Sequence, residues 1–160
     1  MASIDDPSSP KGQRIMALVE WYPPAFEAGG PIRSVHNLMQ LLKAQTNHSL
    51  EVVCGATDLG NDELLLGITP NQKEDQGGVT VTYTTPDQHS LRAWRKRLKG
   101  SIDQPRPDML YLNSVFGTAF ALRPLWVARR LGIRVVLAPR GMLGRLSLIH
   151  ISEPTRRNSI

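Results

Sequence analysis

The chain has 160 residues, which is enough for one domain with a sizeable core and too few for two ordinary domains. Apolar residues make up 41% and charged residues 21%, and this composition excludes a disordered chain and a membrane span. The net charge of +5 indicates an anionic partner, and nucleic acid, a membrane surface or a phosphorylated substrate would each satisfy it.

The N-terminal segment, residues 1–12, is acidic and rich in proline and serine. It lacks the basic region and apolar stretch of a signal peptide. No apolar run in the chain approaches the roughly 20 residues that a membrane-spanning helix needs. We therefore expect a flexible N-terminus over 1–12 and a cytoplasmic protein.

Short runs rich in apolar, β-branched and aromatic residues recur along the chain and alternate with helical patterns. They predict strands over residues 14–21, 50–55, 79–84, 109–113 and 133–138. Segment 56–78 shows no clear period, so we predict a loop with one helical turn there. The alternation predicts an α/β fold, an open, mostly parallel Rossmann-like sheet of about five strands in the order 3-2-1-4-5, flanked by helices. In that order the loops after the first and fourth strands meet at the switch point of the sheet, where ligands bind, and Arg140, just beyond the fifth strand, lies at the same edge.

Three helical patterns separate these strands. The first starts at Pro31 and carries one apolar stripe, formed by Val35, Leu38, Met39 and Leu42. The second spans residues 90–100, and the third runs from about Pro124 to Leu131 and ends at Gly132. The first helix is expected to pack this stripe on the sheet.

The second helical pattern permits two interpretations. Leu91, Trp94 and Leu98 share one side, and basic residues occupy the rest of the helix. In one interpretation Trp94 lies in the core and the charges are solvated. In the other, Leu91 to Lys99 is a basic amphipathic surface that contacts nucleic acid or an anionic membrane.

Cys54 is the single cysteine, which excludes an internal disulfide and a cysteine-based metal cluster. Its apolar neighbours favour a buried structural thiol over a nucleophile. The histidines show no metal spacing, and we expect no metal site.

The loop Tyr22 to Gly30 ends in two glycines at the predicted start of a helix. Gly29 and Gly30 allow the backbone to approach a phosphate, and the helix N-terminus favours an anion. Arg33 follows in the first turn, where a cation is unfavourable by about 0.3–1 kcal/mol unless an anion offsets it. Arg33 is therefore a candidate anion ligand; the alternative is a solvated arginine or one paired with Glu27.

Several established signatures are missing from the chain. It contains neither G-x-G-x-x-G nor G-x-x-x-x-G-K-[ST], so the dinucleotide and P-loop motifs do not apply. It also lacks G-x-S-x-G and H-E-x-x-H, which argues against the hydrolases that use them.

Three segments carry a resemblance to a known family. The stretch from Tyr22-Pro23-Pro24 to Arg33, then Tyr111-Leu112-Asn113-Ser114, then Leu137 to Leu143, together resemble the N-terminal domain of family 4 glycosyltransferases over about residues 13–145. The resemblance implies an enzyme of two facing Rossmann-like halves. Such enzymes transfer a sugar from a nucleotide-sugar donor to a glycan or lipid-linked acceptor without a metal or bound cofactor, here in cell-surface polysaccharide synthesis.

The resemblance also implies positions for binding residues. Gly29, Gly30 and Arg33 would face the donor diphosphate, and Asn113 stands where many relatives have a histidine. Arg140 follows the last predicted strand, where it would meet acceptor or donor anions; the alternative is that it braces the following loop. No catalytic residue is assigned in the chain.

The C-terminal residues 146–160 are expected to be non-native, because Leu146 to Arg156 resemble a translated sequencing adapter. The native part would then be a truncated domain, 13–145, whose sheet is incomplete at its C-terminal edge. In the family the missing half holds the donor pocket and an E-x7-E pair, so we expect this chain alone to be inactive.

Two function classes remain open at this point. The first is the acceptor-side fragment of a glycosyltransferase, which meets the inner face of the membrane peripherally through Leu91 to Lys99 and does not bind nucleic acid. The second is a non-enzymatic anion-binding module that uses the same basic helix to contact nucleic acid or an anionic membrane.

Overall fold

The computed structural model describes residues 12–102 and 104–140. The predicted non-native tail, 146–160, lies outside the described residues. The predicted flexible segment, 1–12, also lies outside them except for Gly12. Those residues form an α/β fold, as predicted.

The described part of the chain contains six strands in one open sheet. They are β1 (Arg14–Leu18), β2 (Ser49–Gly55), β3 (Lys73–Gln76), β4 (Val79–Thr84), β5 (Met109–Leu112) and β6 (Arg134–Leu137). Their order across the sheet is β3-β4-β2-β1-β5-β6, and every neighbouring pair is parallel except β3 with β4. The five predicted strands are all present, and their predicted order is confirmed.

The strand β3 corrects the prediction of a loop with one helical turn over 56–78. Its four residues, Lys-Glu-Asp-Gln, are polar and form an edge strand, so they show no apolar alternation. Gly77 and Gly78 join β3 to β4, with φ of 63° and 83°. A two-residue turn with positive φ at both positions matches the twist of a β-hairpin. The Gly-Gly pair was therefore the signal for this hairpin.

Three helices cover the sheet: α1 (Gly30–Gln45), α2 (Leu91–Lys99) and α3 (Arg123–Leu131). A 3₁₀ turn, Pro86–His89, precedes α2, and a π-helical turn, Thr118–Leu122, leads into α3. As predicted, α3 stops at Gly132, which has a φ of 65°. Among the described residues, no helix is long and apolar enough to cross a membrane.

The two faces of the sheet have separate cores. On one face, Val35 and Met39 of α1 are fully buried against strand residues such as Val52, so the predicted apolar stripe is confirmed. On the other face, Trp94 and Leu98 of α2 pack with residues of α3 and β5. Burial of this apolar area is the main stabilising contribution.

Two open questions about single side chains are answered by burial. Trp94 is only 1% exposed, so its indole lies in the core and not on the basic surface of α2. Cys54 is fully buried in β2, and burial raises the pKa of its thiol well above the ordinary value. A buried structural thiol is therefore confirmed.

Candidate functional site

A cavity of about 230 Å³ opens beyond the carboxyl ends of β1, β5 and β6. The connection after β1 leads to α1 on one face, and the connection after β5 leads to α3 on the other. The chain thus changes direction between β1 and β5, which is where ligands bind in open α/β sheets. The cavity lies at the switch point expected from the order of the strands.

The glycine loop is held by the carboxylate of Asp58. Its oxygens accept hydrogen bonds from the backbone N–H groups of Phe26, at 2.9 Å, and Glu27, at 3.2 Å. Slight burial acts to raise the pKa of Asp58, but the backbone hydrogen bonds of Leu59, Phe26 and Glu27 outweigh it and lower the pKa. Asp58 therefore stays ionised and fixes the loop that leads to α1.

Two tyrosines anchor the start of the same loop. Tyr22 is fully buried, and its hydroxyl lies 3.2 Å from Nδ1 of His36 on α1. Burial, with a smaller effect of Cys54, raises the pKa of Tyr22 to about 12, so the phenol remains neutral. The hydroxyl of Tyr83 donates a hydrogen bond to the carbonyl of Pro23. These contacts tie the loop to the core.

The N-terminus of α1 borders the cavity and has no side-chain cap. Gly29 precedes the helix with a φ of 70°, and the first turn contains no acidic residue. A Cβ built on Gly29 or Gly30 would meet no heavy atom within 4 Å, so the space beside both glycines is open. Pro31 and Ile32, the next residues, line the cavity. The positive end of the helix dipole therefore lies beside the cavity.

Arg33 lies on the exposed side of the first turn of α1 and does not line the cavity. Both ion pairs among residues 12–102 and 104–140 involve Glu51, so the alternative pairing of Arg33 with Glu27 is not found. If Arg33 is not an anion ligand, the structure agrees with a solvated arginine and not with one paired with Glu27.

Arg140 and Asn113 are brought together, as the sequence predicted for residues at one sheet edge. Nε of Arg140 donates to Oδ1 of Asn113 at 2.7 Å, and Nη1 donates to Oγ of Ser34 at 2.6 Å. Nη2 lies 3.4 Å from the hydroxyl of Tyr111. Arg140 therefore connects the ends of β5 and β6 with the first turn of α1. All three acceptors are neutral, so they leave the positive charge of the guanidinium uncompensated.

Glu20 is a cavity residue that sequence reasoning missed. It follows β1, lines the cavity and is half-buried. Burial raises the pKa of Glu20 above its ordinary value. Its carboxylate takes part in no ion pair or side-chain hydrogen bond within the part of the chain that the structure describes. The available signal was an acidic residue directly after the apolar run of the central strand.

The remaining cavity lining is mostly apolar and includes Trp21, Ile32 and Phe120. Polar groups come from Glu20, Asn113, Ser114 and Arg140. Among the described residues, no group of His, Cys, Asp and Glu could hold a metal ion. We find no match to this chain among models of protein families, curated proteins or solved structures.

Proposed function

We propose that the chain forms the acceptor-side wall of a glycosyltransferase. The enzyme would transfer a sugar from a nucleotide-sugar donor to a glycan or lipid-linked acceptor in cell-surface polysaccharide synthesis, in the cytoplasm at the inner face of the membrane. The observation that carries this proposal is one cavity at the switch point of the sheet that combines a helix N-terminus, a mostly apolar wall and an arginine, Arg140, with no ion pair among residues 12–102 and 104–140.

A helix N-terminus, a cation and an apolar wall each have a use in the chemistry of sugar transfer. When the bond between the sugar and the donor diphosphate breaks, negative charge develops on the diphosphate. A helix dipole and cations beside that charge stabilise it. Gly29 and Gly30 leave open space at the start of α1. Arg140 supplies positive charge at the cavity, where it bonds to Ser34, and Arg33 supplies a second positive charge on the exposed side of the same helical turn. The neutral sugar of the acceptor needs an apolar wall with a few polar groups, which the cavity also offers.

Inorganic pyrophosphate tests the anion-binding part of the proposal. We expect the full chain to bind pyrophosphate in a calorimetric titration, and we expect Arg140→Ala and Arg33→Ala each to weaken binding about fivefold to tenfold, since each removes one cation. Lys43→Ala is the matched control, because it removes the same charge from the last turn of α1. If all variants bind pyrophosphate as tightly as the wild type, or if Lys43→Ala weakens binding as much as the arginine variants do, the proposed anion site is wrong.

The gene tests the activity of the parent enzyme. A reading frame that continues beyond Gly144 into a second Rossmann-like domain with E-x7-E would support the proposal. A stop codon or an unrelated domain at that point would oppose it. With the complete enzyme, a panel of nucleotide-sugars then identifies the donor, and we expect no transfer by the 160-residue chain alone.

A second candidate function rests on the charge of α2 and α3. Helix α2 carries five basic residues and α3 three, and neither contains an acidic residue. Of the five in α2, Arg97 is largely buried and paired with Glu51, so four remain for a partner. Because Trp94 is buried, the exposed aromatic group of this layer is Trp126, with the guanidinium of Arg130 3.6 Å above its ring. Leu91 and Leu122 are also about half exposed. Basic and apolar groups on one surface favour an anionic membrane as the partner.

Vesicle sedimentation tests this second function. We expect the chain to sediment with vesicles of phosphatidylcholine and an anionic lipid and to remain in solution with phosphatidylcholine alone. Trp126→Ala should reduce the bound fraction, whereas Leu41→Ala, on α1 and equally exposed, should not. Salt-sensitive binding to DNA but not to vesicles would instead favour nucleic acid.

A further inference from the structure

We propose that Glu20 binds a hydroxyl group of an uncharged sugar ring in the cavity and excludes sugars that carry a carboxylate. This inference rests on the proposed function, and it names both a specificity-determining residue and the chemical class of the acceptor.

The position of Glu20 supports a ligand-binding role. A carboxylate kept for structure is normally paired or hydrogen-bonded when it is withdrawn from water. Glu20 is half-buried at the cavity wall, yet its carboxylate has no ion-pair or hydrogen-bond partner in residues 12–102 and 104–140. Glu51, by contrast, forms ion pairs with Lys73 and Arg97 at 3.8 Å. Glu20 thus retains acceptor capacity for a hydroxyl group of a ligand.

The backbone also makes room for this carboxylate. A Cβ built on Gly117 would lie 2.5 Å from Oε1 of Glu20 and 3.7 Å from Oγ of Ser114. Gly117 has ordinary dihedral angles, with φ −63° and ψ 115°, so the backbone does not require glycine there. The absence of a side chain at Gly117 leaves the space in which Oε1 of Glu20 lies against the loop after β5.

The cavity walls suit a single sugar ring. A volume of about 230 Å³ falls below the roughly 300–1,000 Å³ of pockets for drug-sized ligands. Trp21, Ile32 and Phe120 offer apolar surface for the C–H face of a ring. Glu20, Asn113 and Ser114 lie on the same lining and can bond its hydroxyl edge.

The charge of Glu20 sets the specificity. Its carboxylate lies in a partly desolvated site, where repulsion between like charges is stronger than in water. It attracts the hydroxyl hydrogens of a neutral sugar and repels the carboxylate of a uronic acid. Arg140 and the start of α1 attract a carboxylate from their own part of the lining, but Arg140 bonds to Asn113, Ser34 and Tyr111 and forms no ion pair with Glu20. The preference for a neutral sugar therefore applies to a ring whose hydroxyl edge lies against Glu20.

Matched pairs of methyl glycosides and methyl glycosiduronates, in the gluco, galacto and manno configurations, provide the test. We expect the full chain at neutral pH to bind at least one neutral glycoside about tenfold or more tightly than its uronate, as measured by calorimetry or saturation-transfer NMR. Glu20→Gln should reduce this preference to about twofold, because it keeps the shape and removes the charge. Glu27→Gln removes the same charge from an exposed position outside the cavity and should behave as the wild type.

Gly117→Ala is a second variant that tests the position of the carboxylate without changing any charge. Its added methyl group would displace Oε1 of Glu20, so the affinity for the neutral glycoside should fall and the preference over the uronate should narrow. Thermal unfolding of each variant shows whether it is folded. If Glu20→Gln does not fold, the binding preference of Gly117→Ala tests the inference.

The outcomes separate this inference from the proposed function. If Glu20→Gln and Gly117→Ala both keep the wild-type preference, or if the wild type has none in any configuration, the role of Glu20 is wrong. If pyrophosphate binding still depends on Arg140 in that case, the proposed function is supported although the role of Glu20 is wrong. Selective glycoside binding that depends on Glu20, without any pyrophosphate binding, would support the sugar site and oppose the donor diphosphate site.

Discussion

The N-termini of α1 and α2 lie on opposite faces of the same sheet and differ in how their first N–H groups are satisfied. At α2, Oγ of Ser90 accepts a hydrogen bond from the N–H of Ala93 at 3.1 Å. At α1, Gly29 provides no side chain, and the first turn has no acidic residue. The start of α2 is thus completed by its own chain, while the start of α1 keeps its positive end open beside the cavity.

The same contrast extends to the aromatic and charged residues near each helix. Around α2, Trp94 stacks against His89 and meets the edge of Phe120, with ring centroids 6.4 Å and 5.8 Å apart. Around the start of α1, charged groups face a cavity and the rings of Tyr22 and His36 only support the loop. The aromatic residues of α2 therefore belong to the core that covers the sheet, whereas the start of α1 borders the cavity of the candidate site.

The largest expected effect tests whether α2 is structural. Trp94→Ala should lower the free energy of unfolding by about 3–5 kcal/mol, because it leaves a large cavity in the core. Trp126→Ala, its exposed counterpart on α3, should cost about 0.5–1 kcal/mol through the lost contact with Arg130. Urea denaturation measures both. Similar losses would show that the two tryptophans do not differ in role.

The next effect tests the start of α1. Gly29→Ala should destabilise the fold by about 1–3 kcal/mol, since Gly29 has a φ of 70° that other residues rarely adopt. Gly30→Ala should be neutral or stabilise by up to about 1 kcal/mol, because Gly30 is helical and has open space around it. If urea denaturation shows equal effects, the loop conformation described for Gly29 is wrong.

A smaller effect tests the cap of α2. Ser90→Ala should lower the free energy of unfolding by about 1 kcal/mol through loss of the hydrogen bond to Ala93. Ser49→Ala, an exposed serine at the start of β2, is the control and should change stability by less than about 0.5 kcal/mol. Thermal unfolding of the two variants side by side distinguishes them, and an unchanged melting temperature for Ser90→Ala would refute the cap.

The smallest expected effect concerns His89, next to the start of α2. Burial lowers the pKa of His89, and this outweighs the opposing charge of Asp87. The unfolded chain therefore binds the proton more readily than the folded chain, so stability is full above the ordinary histidine pKa of 6.5 and falls as the pH drops below it. We expect His89→Gln to flatten this dependence in urea titrations between pH 5 and pH 8. If the free energy of unfolding of His89→Gln depends on pH as in the wild type, the assignment of this dependence to His89 is wrong.

Local sequence patterns predicted most of the strands but not all of them. The strands β1, β2 and β5 were predictable because buried parallel strands are mostly apolar runs. The strand β4 was predictable from its β-branched and aromatic residues, and β6 from its apolar run, although β6 is an exposed edge strand. The edge strand β3 was not, since its polar side chains carry no alternation, although the Gly77-Gly78 pair marked its turn. The stop of α3 at Gly132 was predicted, and the helix predicted over 90–100 lies within a residue of α2, whose N-cap is Ser90.

The candidate site was predictable only in part. Asn113 and Arg140 were placed at one edge because both follow parallel strands, and they are hydrogen-bonded there. The role of Ser34 was not foreseen, because it depends on a contact with Arg140 across 106 residues of sequence. Glu20 was missed although it directly follows the apolar run of β1, because its burial without a partner among residues 12–102 and 104–140 depends on the packing of distant segments.

The sequence by itself determined the α/β class, the order of the parallel strands, the apolar stripe of α1 and the loops that meet at the switch point. These features follow from periodicity, turn chemistry and the handedness of connections, which are properties of short segments. Only the tertiary structure decided that Trp94 is buried while Trp126 is exposed, that Arg140 bonds neutral partners, and that Glu20 lies against Gly117 with no ion pair in the described part of the chain. These features depend on which distant segments pack together, and packing is a property of the whole fold.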